Sequence, residues 1–186
     1  MQMKLIRFLI IALAVPSLAF AGAQNTTKPA PRAQAVPKEN GFRAEFLTNL
    51  DDVQEKMIDL AESIPAEKYG WRPAPDVRSI SEVFMHVVGG NYFLSTFLGM
   101  NPPKMNGDME KKITKKADVV AELKRSFEHL RAAMNAAGDL EKPVKMLGTQ
   151  TTQRGVLVTV LSHLHEHLGQ SVAYARMNGV VPPWSR

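Results

Sequence analysis

The sequence contains no cysteine. Disulfide bonds, thiolate metal ligands and a cysteine nucleophile are therefore excluded. A protein of this composition has to be stabilised by its apolar core and by any metal ion that it binds. Any metal site must be built from imidazole, carboxylate or other oxygen and nitrogen donors.

Long apolar runs are also lacking. The longest candidate, Phe8 to Val15, is far shorter than the ~20 residues that a membrane-spanning helix needs. It follows the basic residues Lys4 and Arg7 and precedes a small-x-small triplet, Ala19-Phe20-Ala21. This pattern predicts a cleaved signal peptide over residues 1–21 and an exported protein, periplasmic or secreted, without stable membrane insertion after cleavage. An uncleaved anchor is the alternative interpretation.

Neither sign of charge is in large excess. The 186 residues carry a formal net charge of +5. Removal of residues 1–21, which include two bases and no acids, would leave 165 residues with a charge of +3. The basic residues do not cluster on one face, so we expect no nucleic-acid partner.

Residues 22–40 contain little that could be buried and several prolines, which predicts a disordered linker. From residue 41 to residue 186 the composition is that of one globular domain with a core of ordinary size.

Four segments of this domain show apolar residues at steps of three and four, the period of an amphipathic helix. The second segment opens with the capping-box spacing of Ser79 and Glu82. The predicted helices begin near Gly41, Ser79, Ala117 and Thr152 and end near Ile64, Leu98, Ala137 and Asn178.

These segments predict an all-α four-helix bundle, with no strand. The connections are longer than those of simple up-down bundles, so at least one should cross an end of the bundle. We expect residues 104–116 to be a solvated polar connection and residues 140–150 to be a loop.

Three histidines fall within five residues of the last predicted helix. At 100° per residue, His163 and His167 lie about 40° apart on one face, where two imidazoles can bind one ion. His165 points about 200° away from His163, while Gln170 lies close to the metal-facing side and Glu166 at its edge. A partly buried polar pair without a metal is the alternative for His163 and His167.

His86 lies on the inward face of the second helix, followed one turn later by Gly89 and Gly90. Glycine inside a helix costs about 1 kcal/mol relative to alanine, so these two glycines need a reason. Close packing of another helix is one reason, and space for a ligand beside His86 is the other. His129 lies outside the apolar stripe of the third helix and is predicted to be a surface residue.

Together, His86, His163 and His167 would supply three neutral nitrogen donors and leave coordination positions open, as catalytic metal sites do. Nitrogen donors favour Zn²⁺ and Ni²⁺, and Fe²⁺, Mn²⁺ and Co²⁺ are also compatible. A helical scaffold without metal is the competing interpretation.

Five short motifs occur in a distinctive order: Trp71-Arg72-Pro73, Arg78-Ser79-Ile80, Glu82 to His86, His163 to His167 with Gly169-Gln170, and Tyr174 to Pro183. In these motifs the chain resembles the DinB-like superfamily, the DinB/YfiT-type metalloenzymes, over nearly all of residues 41–186. The resemblance implies a four-helix bundle in which His86, His163 and His167 match the metal-binding triad, and it implies a homodimer.

The resemblance also implies a divalent-metal-dependent enzyme that acts on a small molecule. Characterised relatives include thiol-dependent transferases and isomerases, although such thiols are chiefly cytoplasmic and this chain is predicted to be exported. A hydrolase with metal-activated water is the second enzymatic expectation, with Glu166 or Gln170 as candidate catalytic partners. A non-catalytic metal- or ligand-binding module of the cell envelope remains the alternative.

Overall fold

The computed structural model describes residues 41–104 and 108–185, all of which belong to one compact unit. The predicted signal peptide and linker lie outside the described residues. The described part is mostly helical and also contains a two-stranded sheet. Its elements are α1 (Gly41–Ser63), α2 (Ile80–Thr96), α3 (Met109–Lys112), α4 (Lys116–Ala136), β1 (Pro143–Met146), β2 (Thr149–Thr152) and α5 (Gln153–Met177), with 3-10 turns at Ala66–Lys68 and Pro183–Ser185.

The four long helices are those that the apolar stripes predict. On α1 the stripe Phe46, Leu50, Val53, Met57 and Leu60 is fully buried, and the helix ends just before Pro65. Observed and predicted boundaries differ by no more than two residues at the ends of α1, α2, α4 and α5.

The capping box at the start of α2 is present. The Ser79 hydroxyl accepts a hydrogen bond from the Glu82 backbone N–H at 3.3 Å, and the Glu82 carboxylate accepts one from the Ser79 N–H at 2.7 Å. Arg72 pairs with the same carboxylate at 3.0 Å. The Ser79 backbone donor and Arg72 together lower the pKa of Glu82, so the Glu82 carboxylate is ionised. The capping box fixes where α2 begins and therefore the face of the helix on which His86 lies.

Two pairs of helices, α1 with α2 and α4 with α5, lie opposite each other in the bundle. Both α1 and α2 pack against α4 and against α5. This arrangement puts α1 opposite α2 and α4 opposite α5, so the α1–α2 and α4–α5 links cross the bundle, as the length of the connections predicts.

Two long basic side chains join α1 to α4. Arg43 at the start of α1 donates to the last carbonyls of α4, those of Met134 at 2.6 Å and Ala137 at 2.8 Å. Lys116 at the start of α4 donates to the carbonyls of Glu62 at 2.6 Å and Ile64 at 2.8 Å. The two helices are therefore antiparallel, and each caps the carbonyl end of the other.

The prediction of a loop over residues 140–150, and of no strand, is wrong. Strands β1 and β2 pair antiparallel, with Met146 opposite Thr149. The turn between them has Leu147 at φ 50° and Gly148 at φ 86°, both in the left-handed region. A leucine there costs about 1–2 kcal/mol, because such turns favour asparagine followed by glycine.

The prediction for residues 104–116 is also incomplete, since this connection contains the short helix α3, which packs against α2. None of the helices within residues 41–104 and 108–185 combines the length and the apolar character needed to cross a bilayer.

Candidate metal centre

The structure brings His86, His163 and His167 together. His86 comes from α2 and the other two from successive turns of α5. Ring centroids are 5.2 Å apart for His86 and His163, 4.7 Å for His86 and His167, and 4.6 Å for His163 and His167. One ring nitrogen of each lies within 4.8 Å of those of the other two, so the three imidazoles could hold one metal ion.

The spacing of one donor pair fits such an ion. The Nε2 atoms of His86 and His163 are 3.3 Å apart. A tetrahedral Zn²⁺ with nitrogen ligands at ~2.05 Å separates two of them by about 3.3 Å. His167 is buried and the other two residues are half-buried.

A carboxylate that sequence analysis missed orients His86. Glu110, on α3, accepts a hydrogen bond from His86 Nδ1 at 2.9 Å and another from Arg78 Nε at 2.8 Å. Burial opposes ionisation of Glu110, but these two donors outweigh it and lower its pKa. An ionised carboxylate only accepts, so His86 Nδ1 carries a proton, and in the neutral ring this leaves the Nε2 lone pair for an ion.

Gln170 does the same for His167. The His167 Nδ1 donates to the Gln170 side-chain oxygen at 2.8 Å, and the Gln170 amide nitrogen donates to the Tyr174 hydroxyl at 3.1 Å. Tyr174 is held in turn by an edge-to-face contact with Trp71, at 5.4 Å between ring centroids. Gln170 is thus a positioning residue that leaves His167 Nε2 free for an ion.

On the Nδ1 side, the ring of His163 is oriented by packing rather than by a hydrogen bond. Its Nδ1 is buried and has no hydrogen-bond partner among the described residues. The hydroxyl of Thr159, one turn earlier on α5, donates to the Gly155 carbonyl at 3.1 Å and forms no hydrogen bond with this nitrogen. Burial and the neighbouring His167 and His86 lower the pKa of His163 to about 4, so the ring is neutral and able to bind a cation at pH 7.

Gly89 and Gly90 occur in α2 for different structural reasons. A Cβ at Gly90 would lie 2.9 Å from His163 Nδ1 and closer still to Cε1, so Gly90 makes room for the metal-facing ring itself. A Cβ at Gly89 would meet nothing within 4 Å. Close helix packing therefore does not explain Gly89, which borders open space.

That open space is a cavity of about 390 Å³ that reaches His86 and His163. Its walls are mostly apolar and include Gly89, Phe93 and Leu147. A second, charged cavity of about 630 Å³ lies on another side of Glu110, and its lining includes Arg72, Arg78, Lys111 and Gln170.

The other predicted residues lie outside the centre. His165 is exposed and its Nδ1 bonds the Leu161 carbonyl at 2.8 Å, as the helical register predicts. Glu166 is exposed, and its side chain makes no hydrogen bond among the described residues. The prediction that His129 is a surface residue is wrong, because its ring is half-buried against Tyr92 at 5.1 Å between centroids and burial lowers its pKa.

Comparison with solved structures finds the same fold in two DinB-like proteins. One, from Bacillus cereus, is 17% identical with a TM-score of 0.63, and the match covers 77% of this chain and 95% of that chain. The other, YjoA from Bacillus subtilis, is 22% identical with a TM-score of 0.56, covering 75% and 92% of the two chains.

Comparison with curated protein sequences gives no significant match. A family model does match: that of the DinB superfamily aligns with residues 49–171, which include all three histidines of the centre. The chain belongs to the DinB superfamily.

Proposed function

We propose that this protein binds one divalent metal ion through His86, His163 and His167 and that it is a metal-dependent enzyme acting on a small molecule. The observation that carries the proposal is the cavity that opens onto His86 and His163. A storage or structural site has no need of such a cavity, whereas a substrate has to reach the ion.

The three histidines would hold the ion and leave part of its coordination sphere open. Three protein nitrogens leave at least one position free for a ligand from the cavity side. When bound, a divalent ion lowers the pKa of a coordinated thiol or water toward neutrality. Zn²⁺ and Ni²⁺ suit this donor set best, and Fe²⁺, Mn²⁺ and Co²⁺ are compatible with it.

Two reaction types are consistent with this site. One is transfer from a low-molecular-weight thiol to an electrophile, and the other is hydrolysis of an ester, amide or lactone by activated water. Gln170 would contribute in both by fixing the orientation of His167.

A non-catalytic metal- or ligand-binding module is the second candidate, and the state of Glu110 favours it. Arg78 and His86 occupy the Glu110 carboxylate, and its lowered pKa keeps it ionised as a hydrogen-bond acceptor. Since Glu166 is exposed on the outside of α5, neither carboxylate is placed to move a proton at the centre.

Export and partners belong to the same proposal. The basic start, short apolar run and small-x-small triplet within residues 1–21 support export to the periplasm or the medium, without membrane insertion after cleavage. Cell fractionation and N-terminal sequencing of the mature protein test this. A small-molecule substrate, no nucleic acid and a homodimer are the partners proposed, and sedimentation measures the last.

The enzymatic proposal is tested with the purified mature chain loaded with Zn²⁺ or Ni²⁺. It should turn over a member of two substrate panels, one of thiols with electrophiles and one of esters and lactones. The activity should disappear on chelation and in His163→Ala and should persist in His165→Ala. Stoichiometric metal without turnover of any member of either panel would overturn the enzyme assignment and favour the binding module.

A further inference from the structure

The cavity beside the triad has a mostly apolar lining. Phe93 and Leu94 on α2 and Leu147 at the hairpin tip supply its apolar walls. The polar groups that border it already have partners: Glu110 accepts from Arg78 and His86, and the Thr159 hydroxyl donates to a backbone carbonyl. Away from the histidines, no side-chain donor among the described lining residues is left free to recognise a polar substituent.

Leu147 is in an unfavourable state in the free protein. It has a left-handed backbone conformation, and its residue is 77% exposed although it is a large apolar one. Both features are disfavoured, since asparagine would suit the turn and a polar side chain would suit the exposure. An apolar ligand in the cavity would cover this side chain, which accounts for a leucine at the tip.

Gly89 lines the cavity on the α2 side and adds no side chain to it. It lies within α2, where alanine would be a better helix former, and no neighbouring atom would contact its added Cβ. The volume of about 390 Å³ lies within the range of small-molecule pockets. Gly89 and Leu147 are thus both unfavourable for the local backbone structure, and both line the same apolar cavity.

From these features we propose that the cavity binds an alkyl or aryl group of the substrate, whose ion-binding end reaches His86 and His163. This inference rests on the proposed metal site and names the substrate class: a small molecule with an oxygen or sulfur donor at one end and an apolar group directly beside it. A small, highly charged metabolite lacks the group that would fill the cavity.

The test uses the full mature chain loaded with Co²⁺ and two probes that share one donor group, acetohydroxamate and benzohydroxamate. Binding is followed by the visible absorption of Co²⁺, and each affinity is divided by the affinity of the same probe for free Co²⁺. Burial of the phenyl ring should make benzohydroxamate bind roughly tenfold tighter or more after this correction.

Two substitutions should remove that preference by different routes. Gly89→Leu places a side chain in the cavity on the α2 side. Leu147→Asn removes the apolar side chain at the hairpin turn and relieves the left-handed backbone strain there, so this variant should have a higher melting temperature and still bind benzohydroxamate several-fold more weakly. Both should keep the Co²⁺ spectrum and the affinity for acetohydroxamate. Gly169→Leu is the matched control, because Gly169 is an exposed helical glycine with no neighbour within 4 Å of an added Cβ.

The outcomes separate the two proposals. If the wild type binds no Co²⁺, the metal site fails and this inference falls with it. If Co²⁺ binds but the corrected affinities of the two probes are equal, or if Leu147→Asn and Gly89→Leu leave the preference unchanged, the metal site stands and the apolar substrate class is wrong.

Discussion

Each histidine of the centre is held by a different contact. An ionised carboxylate orients His86, a side-chain amide orients His167, and the absence of a side chain at Gly90 admits the ring of His163. The contacts therefore differ in how they can be removed. The charge of Glu110 can be neutralised, and the space at Gly90 can be filled, without replacing a metal ligand.

Neutralising Glu110 should weaken the metal site. In Glu110→Gln the side chain can still accept a hydrogen bond from His86, but the negative charge that is paired with this imidazole is lost. We expect metal affinity to fall by roughly 10- to 100-fold, with little change in fold. Competition with a chelator of known affinity measures it. Glu166→Gln is the control, and an equal loss there would show that general charge rather than the contact is responsible.

Adding one methyl group at residue 90 should have a larger effect than at residue 89. Gly90→Ala would place its Cβ against the ring of His163, so this ring would have to leave its position and metal affinity should drop by at least tenfold. Gly89→Ala gains the same helix propensity, roughly 1 kcal/mol, without a clash and should retain metal. Equal metal content in the two variants would contradict this account of Gly90.

At this scale the sequence is informative about some residues and silent about others. Helical spacing is enough to pair His163 with His167 and to exclude His165, because all three are on one helix. Glu110 lies 24 residues from His86, on a four-residue helix in a lysine-rich segment, and no periodicity marks it. His129 was misjudged because partial burial against Tyr92 depends on the neighbouring helix, which its own stripe does not describe.

Among the elements, the α1–α4 pair is fixed by its ends as well as by its core. Arg43 brings a partly buried positive charge to the carbonyl end of α4, where the helix dipole is negative, and it satisfies carbonyls that have no partner within the helix. Lys116 does the same at the end of α1. These contacts set the antiparallel register of the two helices.

Removing one of these caps should be measurable. We expect Arg43→Ala to lower the free energy of unfolding by roughly 2 kcal/mol, because hydrogen bonds from a charged donor to several carbonyls are lost. Lys56→Ala is the matched control, since Lys56 is on the same helix but forms only an exposed pair with Asp52, and it should cost less than about 0.5 kcal/mol. Urea denaturation distinguishes them, and equal effects would refute the capping role.

The short elements explain where sequence reasoning about the fold stops. A strand of four residues is too brief for an alternating pattern to emerge, and Pro143 and Gly148 look like breakers although Gly148 in fact forms the hairpin turn. The α3 helix is one turn long and buries none of its residues. The long helices, in contrast, repeat their stripe over several turns, so their bounds are predictable.

For the whole molecule, the order of packing follows from connection length in a general way only. Long links make a crossing of the bundle expected, but which helices face each other is decided by contacts between distant residues. The site depends on that order, because α2 has to lie beside α5 for His86 to meet the other two histidines.

The stability of the metal-free protein should depend on pH because the centre is built from neutral imidazoles. The pKa of His163 is about 4 in the folded protein, against about 6.5 in an unfolded chain. Between these values the unfolded chain binds more protons, so the free energy of unfolding should fall as the pH decreases from 6.5 toward 4.5. Denaturation of metal-free protein should show a shallower fall in His163→Asn, and an unchanged slope would contradict the burial of this imidazole.

The central claim is that three imidazoles from α2 and α5 converge on one divalent cation, and metal content tests it most directly. The mature wild type, loaded with Zn²⁺, Ni²⁺ or Co²⁺ and desalted, should retain one ion per chain. His86→Ala, His163→Ala and His167→Ala should each lose it, while His165→Ala should keep it, because the His165 side chain is exposed on the same helix. A wild type without stoichiometric metal, or a His165→Ala variant as depleted as His167→Ala, would contradict the account.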